Sequence, residues 1–346
     1  MQKPSLGWQS WSPPFPSWHG FPRWDYSPFS VSSVVKDPPK PIKSNQPLRY
    51  WCSWYAYGWD TNSVKINQTL DVIKEFKLPF THILIDDGWT TWGDWYTPTL
   101  KKFPNIISTV EQIKSKHLQA GLWFAPFLGN SKSQLFKNHP EWFIKYKGKY
   151  IQSLKTTPIW ESFLPQQYLL NLELNEVRCY ITNFIDLAVR KWGITLLKLD
   201  FLYAPYFDPN HNNDLVPHSQ VTWLLSYIKR HYPKIKIIAC GTPFDPAIGL
   251  ADIIRISKDT ALPPTIPNFI NRFVYKKRVK MLSQKLNSLQ LSQKFLHDPD
   301  VRIFALDTHS TRLIWGTIPT NIIGVGDNLT TLSRENLIKI KTWLSQ

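Results

Sequence analysis

From residue 48 onwards this chain keeps a rhythm, in which short, almost continuous apolar runs are separated by longer amphipathic stretches. That rhythm limits the possible folds more than any single motif does. The runs are LRYWCSWYA (48–56), FTHILIDDGW (80–89), AGLWFAPF (120–127), QYLLNLE (167–173), ITLLKLDF (194–201), KIKIIACG (234–241), ADIIRIS (251–257) and TNIIGVGD (320–327). Strands that are apolar on both faces belong to parallel sheets, because crossover helices cover each face. The intervening segments can supply those helices. SVKINQTLDVIKEF (63–76) places Val64, Ile66, Leu70, Ile73 and Phe76 mostly on one side. NEVRCYITNFIDLAVRKWG (175–193) has apolar residues at helical spacing and a terminal Gly, and SQVTWLLSYIKRHYP (219–233) ends in Pro. Eight runs over about 280 residues predict a (β/α)8 barrel across residues 48–346 rather than a doubly wound sheet. The glycine fingerprint of a dinucleotide fold is absent. The stretch from 260 to 319 carries no clear run.

Residues 1–47 differ from the rest. They hold ten of the 28 prolines and four tryptophans, with no apolar period. Proline at that density excludes a helix and makes a poor central strand. The expectation is an extended arm packed on a neighbouring domain, or the remnant of one.

Composition bounds the function classes. With 346 residues, 42% of them hydrophobic, the chain can bury a large core. Its 17 tryptophans suit either a packed core or the wall of a flat-ligand site. The net charge of +16 points toward nucleic acid or an acidic membrane surface. Against that, there is no zinc-finger spacing, no Gly-rich phosphate loop and no RNA-binding aromatic signature. The densest basic run, RFVYKKRVKMLSQK (272–285), reads as a solvated helix face. Cys52, Cys179 and Cys240 are widely spaced and odd in number, so neither a disulfide framework nor a CxxC metal site is expected. No run of about 18 apolar residues would span a membrane, and the N-terminus lacks a signal-peptide core. The expectation is a cytoplasmic protein with no nucleic-acid or membrane partner and no metal or organic cofactor.

Polar residues gather at the C-terminal ends of the runs: Asp86 and Asp87, Asp200, Cys240 and Gly241, Asp259 after Ile256, and Asp327. In a barrel those ends form one bowl, where active sites sit. In LLKLDF (196–201), Lys198 and Asp200 lie two apart and so share a strand face. Two carboxylates across a barrel mouth, here Asp200 and Asp259, suit glycoside hydrolysis. One attacks the anomeric carbon. The other protonates the leaving oxygen and then activates water. The attacking group must be ionised, which a cation such as Lys198 favours. A structural salt bridge from Lys198 to some acidic residue fits the spacing equally well.

KLDFLY (198–203) and RISKDTA (255–261) resemble the two catalytic segments of the family 36 α-galactosidases, in the clan shared with family 27. WCSWYAYG (51–58), ILIDDGWTTWGDW (83–95), KFPN (102–105), AGLWFAPF (120–127), NHPEWF (138–143), CGTPFDPAIGLADIIRISKD (240–259), HDPDV (297–301) and IGVGDNLTTLS (323–333) follow in the family's order. The resemblance implies a TIM barrel and retaining hydrolysis of terminal α-galactosides through a covalent galactosyl intermediate. It implies that Asp200 is the nucleophile and Asp259 the general acid/base. Asp86 and Asp87 would hold the 4- and 6-hydroxyls of galactose, and Lys198 and Arg255 would touch sugar hydroxyls and set the carboxylate charges. Trp54, Tyr55 and Trp123 would form the aromatic wall, and Cys240 and Gly241 would lie beside the 2-hydroxyl. Asp298 and Asp300 in HDPD are expected to fix a loop.

The resemblance also implies departures. Family members carry a large N-terminal β-sandwich and a small C-terminal β-domain. Here GWQSWSPP (7–14) resembles only the end of that sandwich domain, so the chain looks like the catalytic barrel of a shortened or split gene. A separately encoded β-sandwich or a second copy of the chain are the protein partners this allows. Lys258 stands where the family more often has proline, and ALPPTIPN lacks an expected aromatic. Transfer of galactose to a sugar, as in the raffinose-synthase-like branch, and an inactive remnant of the enzyme are the alternative readings.

Overall fold

Eight parallel strands curl into a sheet whose two ends meet on one short segment of chain. The computed structural model describes residues 8–9, 23–24, 47–152, 166–211, 213–288, 296–318 and 322–345. The strands are β1 (Leu48–Cys52), β2 (His82–Ile85), β3 (Gln119–Phe124), β4 (Leu196–Leu199), β5 (Lys236–Ala239), β6 (Ile253–Arg255), β7 in two pieces (Leu296–Asp298 and Val301–Arg302) and β8 (Ile322–Val325). Each pairs in parallel with its neighbour in chain order, and β8 returns to β1 with Ile322 opposite Leu48. The first piece of β7 pairs with β6, and the second piece pairs with β8. Only Pro299 and Asp300 separate the two pieces, so this one strand changes partners along its length and closes the barrel.

Two sequence expectations need correcting here. QYLLNLE is not a barrel strand. Gln167–Leu169 pairs antiparallel with Leu128–Asn130, in an insert between β3 and the helix that begins at Asn175. The barrel strand that takes the vacated place in the count is HDPDV, within the stretch that carries no clear run. Its inward side chains are carboxylates rather than hydrocarbon, and it contains a proline, so it reads as a loop. It holds as a strand because Asp298 and Asp300 meet buried partners: Tyr50 donates to Asp298 at 3.0 Å, and Arg255 pairs with both.

The longer helices are α1 (Ser63–Phe76), α2 (Ile106–Ser115), α3 (Asn175–Leu187), α4 (Leu215–His231), α5 (Asn268–Ser288), α6 (His309–Thr317) and α7 (Arg334–Leu344). Asn62 and Asn105 cap α1 and α2 by accepting the backbone N–H three residues on, as a free first-turn donor requires. A wider turn, Ala188–Trp192, extends α3 to the stop at Gly193, whose φ of 76° suits glycine. Between β5 and β6 the chain forms turns instead of a helix. Ile66, Leu70 and Ile73 of α1 and Val177, Ile181 and Phe184 of α3 are buried against the sheet. Burial of each such side chain contributes about 1.5–3 kcal/mol. Inside the barrel, Gly324 leaves room for Tyr50, since a Cβ there would lie 2.6 Å from the Tyr50 ring.

Most of the expected arm over 1–47 lies outside the described residues; of those described, Trp8–Gln9 pairs antiparallel with Arg23–Trp24. Among the described residues no helix is long and apolar enough to cross a membrane.

Candidate active site

β2 delivers Asp86 and Asp87 to the C-terminal mouth of the barrel, and the chain must turn sharply after them. Gly88 makes that turn at φ 104°, and a Cβ there would sit 2.8 Å from Trp59 Cα. Both carboxylates are buried, at 2% and 6% exposure. Asp86 Oδ2 accepts from Lys198 Nζ at 2.7 Å and from Cys52 Sγ at 3.2 Å, while its Oδ1 accepts from the Asp87 N–H at 2.9 Å. Asp87 Oδ1 accepts from the Gly88 N–H and the Trp92 indole, both at 2.7 Å, and Oδ2 accepts from the Trp59 indole at 2.9 Å. A carboxylate oxygen has two lone pairs. Among the described residues, Asp86 Oδ1 and Asp87 Oδ2 therefore each keep one acceptor site. Burial pushes the Asp87 carboxyl up to about 6, against the pull of the two indole donors.

β4 brings Lys198 and Asp200 to the same mouth, but the two do not form the pair that their spacing suggests. Lys198 bonds to Asp86 instead. Burial opposes the ammonium, and Asp86 together with Cys52 and Cys240 outweighs it, so Lys198 is held charged. The structural salt bridge that the sequence allowed is thus present, and it reaches a carboxylate of the same cavity. Asp200 is oriented by two other donors: the Trp123 indole reaches Oδ2 at 3.1 Å and the Phe201 N–H reaches Oδ1 at 2.7 Å. Phe201 has φ 55°, an outlier for a bulky residue, immediately after Asp200. Strain of this kind is about 1–3 kcal/mol and collects at functional positions.

Asp259 follows β6 on a loop. Arg255 lies beneath it, 5% exposed, with Nε 2.6 Å from Asp298, Nη2 2.9 Å from Asp300 and Nη1 3.6 Å from Asp259. Burial opposes this cation too, and Asp298 and Asp300 keep it charged. One guanidinium faces three carboxylates. Burial raises the Asp300 carboxyl to about 6, with Arg255 pulling it down and Asp259 and Asp298 pushing it up. Asp300 also accepts from the Tyr55 hydroxyl, the Thr260 N–H at 2.7 Å and the Thr260 hydroxyl at 3.0 Å.

A cavity of about 490 Å³ brings together Asp86, Asp87, Lys198, Asp200, Asp259, Trp54 and Trp123 from the sequence reading. The other four candidates do not line it. Arg255 and Tyr55 lie behind it in the Asp298–Asp300 network. Cys240 is buried at 3% exposure, and burial drives its thiol well up. Gly241, at φ 63°, lies against the Tyr203 ring, 2.7 Å from where a Cβ would stand.

Other lining residues were not singled out from the sequence. Trp59 and Trp92 hold Asp87, and Lys102 of KFPN donates to the carbonyls of Trp59 and Gly88, the latter at 2.9 Å. Asn130, Gln152, Gln166 and Gln167 come from the insert. KFPN and the second Trp of GWTTW stand in the motifs quoted above, so a signal existed for them. The insert amides carry none.

The sequence profile described as Melibiase matches residues 34–249, more than half of the chain. The chain belongs to the melibiase family. Among curated melibiase relatives, probable alpha-galactosidase C of Aspergillus flavus is 26% identical over 218 residues, covering 57% of this chain and 27% of that protein. The alpha-galactosidase of Escherichia coli is 26% identical over 171 residues, covering 46% and 22%. This melibiase chain therefore spans about a quarter of the length of such relatives. Among solved structures, the alpha-galactosidase of Thermus thermophilus in complex with stachyose superposes with a TM-score of 0.72 at 24% identity, over 89% of this chain and 66% of that one. A family 36 alpha-galactosidase of Geobacillus stearothermophilus gives 0.63 at 18% identity, over 87% and 41%. These likenesses establish the melibiase barrel as the fold.

Proposed function

We propose that this melibiase is the catalytic barrel of a retaining α-galactosidase, with Asp200 as nucleophile and Asp259 as general acid/base. The observation that carries the reading is the cavity itself. Four aspartates from three strand ends share it, and two of them, Asp86 and Asp87, are buried side by side with one open acceptor site each. Two adjacent acceptors suit the 4- and 6-hydroxyls of one sugar. Galactose and glucose differ at the 4-hydroxyl, and the wrong epimer would leave a buried acceptor unpaired, at about 1–3 kcal/mol. Trp54 and Trp123 offer flat apolar faces to the sugar C–H groups. Asp200, aimed by Trp123 and the Phe201 N–H, attacks the anomeric carbon while Asp259 gives its proton to the departing oxygen. Asp259 then takes a proton from water as that water displaces Asp200, which restores the starting configuration. Lys198 acts through Asp86, and Arg255 acts beneath Asp259.

The names of the relatives support this substrate class. The arm over 1–47 as the remnant of a β-sandwich domain, a separately encoded sandwich as partner, and a cytoplasmic location belong to the same proposal.

The test is hydrolysis of p-nitrophenyl α-galactoside by the 346-residue chain, with the anomer of the first-formed galactose read by NMR. The expected product is the α-anomer. Asp200→Gly should abolish turnover, and azide should restore it as β-galactosyl azide. Full activity in Asp200→Gly would sink the assignment. Galactosyl-sugar products in place of free galactose would select the transfer reading. A folded but inert chain, even with a family β-sandwich domain added, would select the remnant.

A further inference from the structure

The cavity has a second side, chemically unlike the first. The strand ends bring ions to it, Asp86, Asp87, Lys198 and Asp200 among them. Among the described residues, the insert between β3 and α3 brings uncharged amides only: Asn130, Gln152, Gln166 and Gln167. Amides pair well with hydroxyl groups and offer an ionised ligand no counter-charge.

The insert holds these amides on a frame of its own. Its strands pair with each other and not with the barrel sheet, with Asn130 opposite Gln167 and Gln152 bridged to Tyr168. In the same insert Phe136 packs on Phe143, Tyr150 and Tyr168, with ring centroids 5.1, 5.0 and 5.0 Å apart. Two of the amides are fixed by their carbonyl ends. Asn130 Oδ1 accepts from the Lys132 N–H at 2.7 Å, and Gln166 Oε1 accepts from the Tyr168 hydroxyl at 2.5 Å. That leaves their NH2 ends to donate. Gln167 is the opposite case. Its Oε1 is shielded from water and has no hydrogen-bond partner among the described residues. A buried acceptor without a donor is costly, so one in a cavity wall points to a ligand that supplies the donor.

Ring geometry decides which part of a galactoside can do so. C1 and C4 lie opposite each other in a pyranose. With the 4-hydroxyl on the buried Asp86–Asp87 pair, the group on C1 is directed away from that pair and toward the rim. We propose that the insert is the recognition site for the sugar on the leaving side of the bond. Gln167 accepts from a hydroxyl of that sugar, and Gln166 and Asn130 donate to it. This rests on the α-galactosidase reading. The aspartates then select galactose, and the insert selects what galactose is attached to. A phenyl leaving group has no hydroxyl for the amides and gains nothing from them.

The experiment compares kcat/KM of the full chain for a galactosyl-α-1,6-glucose disaccharide and for phenyl α-galactoside, together with the inhibition constant of free galactose. The variants are Gln167→Met, Gln166→Met and the control Lys149→Ala, an exposed position on the insert hairpin. Gln167→Met keeps the length of the side chain and removes the acceptor. One neutral hydrogen bond corresponds to about three- to tenfold, so each glutamine variant should lose that much on the disaccharide and less than about twofold on the other two measures. Lys149→Ala should match wild type on all three. Equal losses on the two galactosides, a raised inhibition constant for galactose, or no loss would overturn the proposal. If Gln167→Met does not fold, the same ratio in Gln166→Met decides it. A wild-type chain that cleaves neither galactoside overturns the α-galactosidase reading, and this inference with it. A wild type that cleaves only the phenyl galactoside, or one active on both whose ratio is unchanged in the variants, overturns this inference alone.

Discussion

Lys198 Nζ lies 2.7 Å from Asp86 Oδ2, reaching past β3 to tie the end of β4 to the end of β2, with the two side chains 5% and 2% exposed. Removing one member leaves a buried charge without its partner. Lys198→Met should cost about 3–5 kcal/mol of stability in urea denaturation. The double variant Lys198→Met/Asp86→Asn should cost less than the sum of the single variants, with a coupling of about 1–3 kcal/mol. Strict additivity would mean that the pair does not act as a unit.

Asp87 predicts a pH dependence. Burial raises its folded-state carboxyl to about 6, against an ordinary value of 3.8. Between these values the folded chain keeps a proton that the unfolded chain has released. The stability so gained is complete below about pH 4 and is lost as the pH rises through about 6. Its size by linkage is about 2–3 kcal/mol. Asp87→Asn has no such group, so its stability relative to wild type should improve by that amount from pH 4 to pH 7.5. Parallel stability curves for the two proteins would refute it.

Gly88 separates a backbone requirement from a chemical one. An added methyl group would meet the Trp59 backbone at 2.8 Å, at a φ of 104° that other residues rarely adopt. Gly88→Ala should cost about 2 kcal/mol or more from strain and displacement. Because Trp59 donates to Asp87, KM for the galactoside should rise while the variant is still folded. A variant with wild-type KM would show that the turn and the sugar contacts are independent.

Trp123→Phe retains an aromatic face and deletes the indole N–H that meets Asp200 at 3.1 Å. A hydrogen bond to a charged group is worth about 1.5–3 kcal/mol, so kcat should fall about tenfold or more. KM should change less, since the wall is preserved. Steady-state kinetics on the nitrophenyl substrate read both constants.

Most of the barrel was legible because apolar period and parallel pairing are the same physical fact seen twice. Burial on both faces demands runs such as ITLLKLDF. The reading failed where a strand's inward side chains are charged. HDPDV offers no hydrocarbon period, and its stability comes from Arg255, 43 residues away in sequence from Asp298. QYLLNLE misled for the converse reason, since it is apolar because it packs an insert. The cavity aspartates were found as polar ends of apolar runs. The partner of Lys198 was not, because strand spacing specifies a shared face and leaves open which neighbour across the mouth supplies the counter-charge. Arg278 of α5, which donates to the backbone carbonyls of Asp259 and Ala261, was hidden by its surroundings, one inward cation in a run whose average character is solvated.

The divided seventh strand has a consequence for how the protein comes into being. A ribosome that has emitted residues 1–295 has already made every carboxylate proposed for the chemistry, yet Arg255 still lacks Asp298 and Asp300, and the sheet still has two open edges. The divided strand then seats the cation beneath Asp259, and it seals the edges together with β8, which pairs with it on one side and with β1 on the other. Shape and competence arrive together, so a partly assembled barrel is an unarmed one.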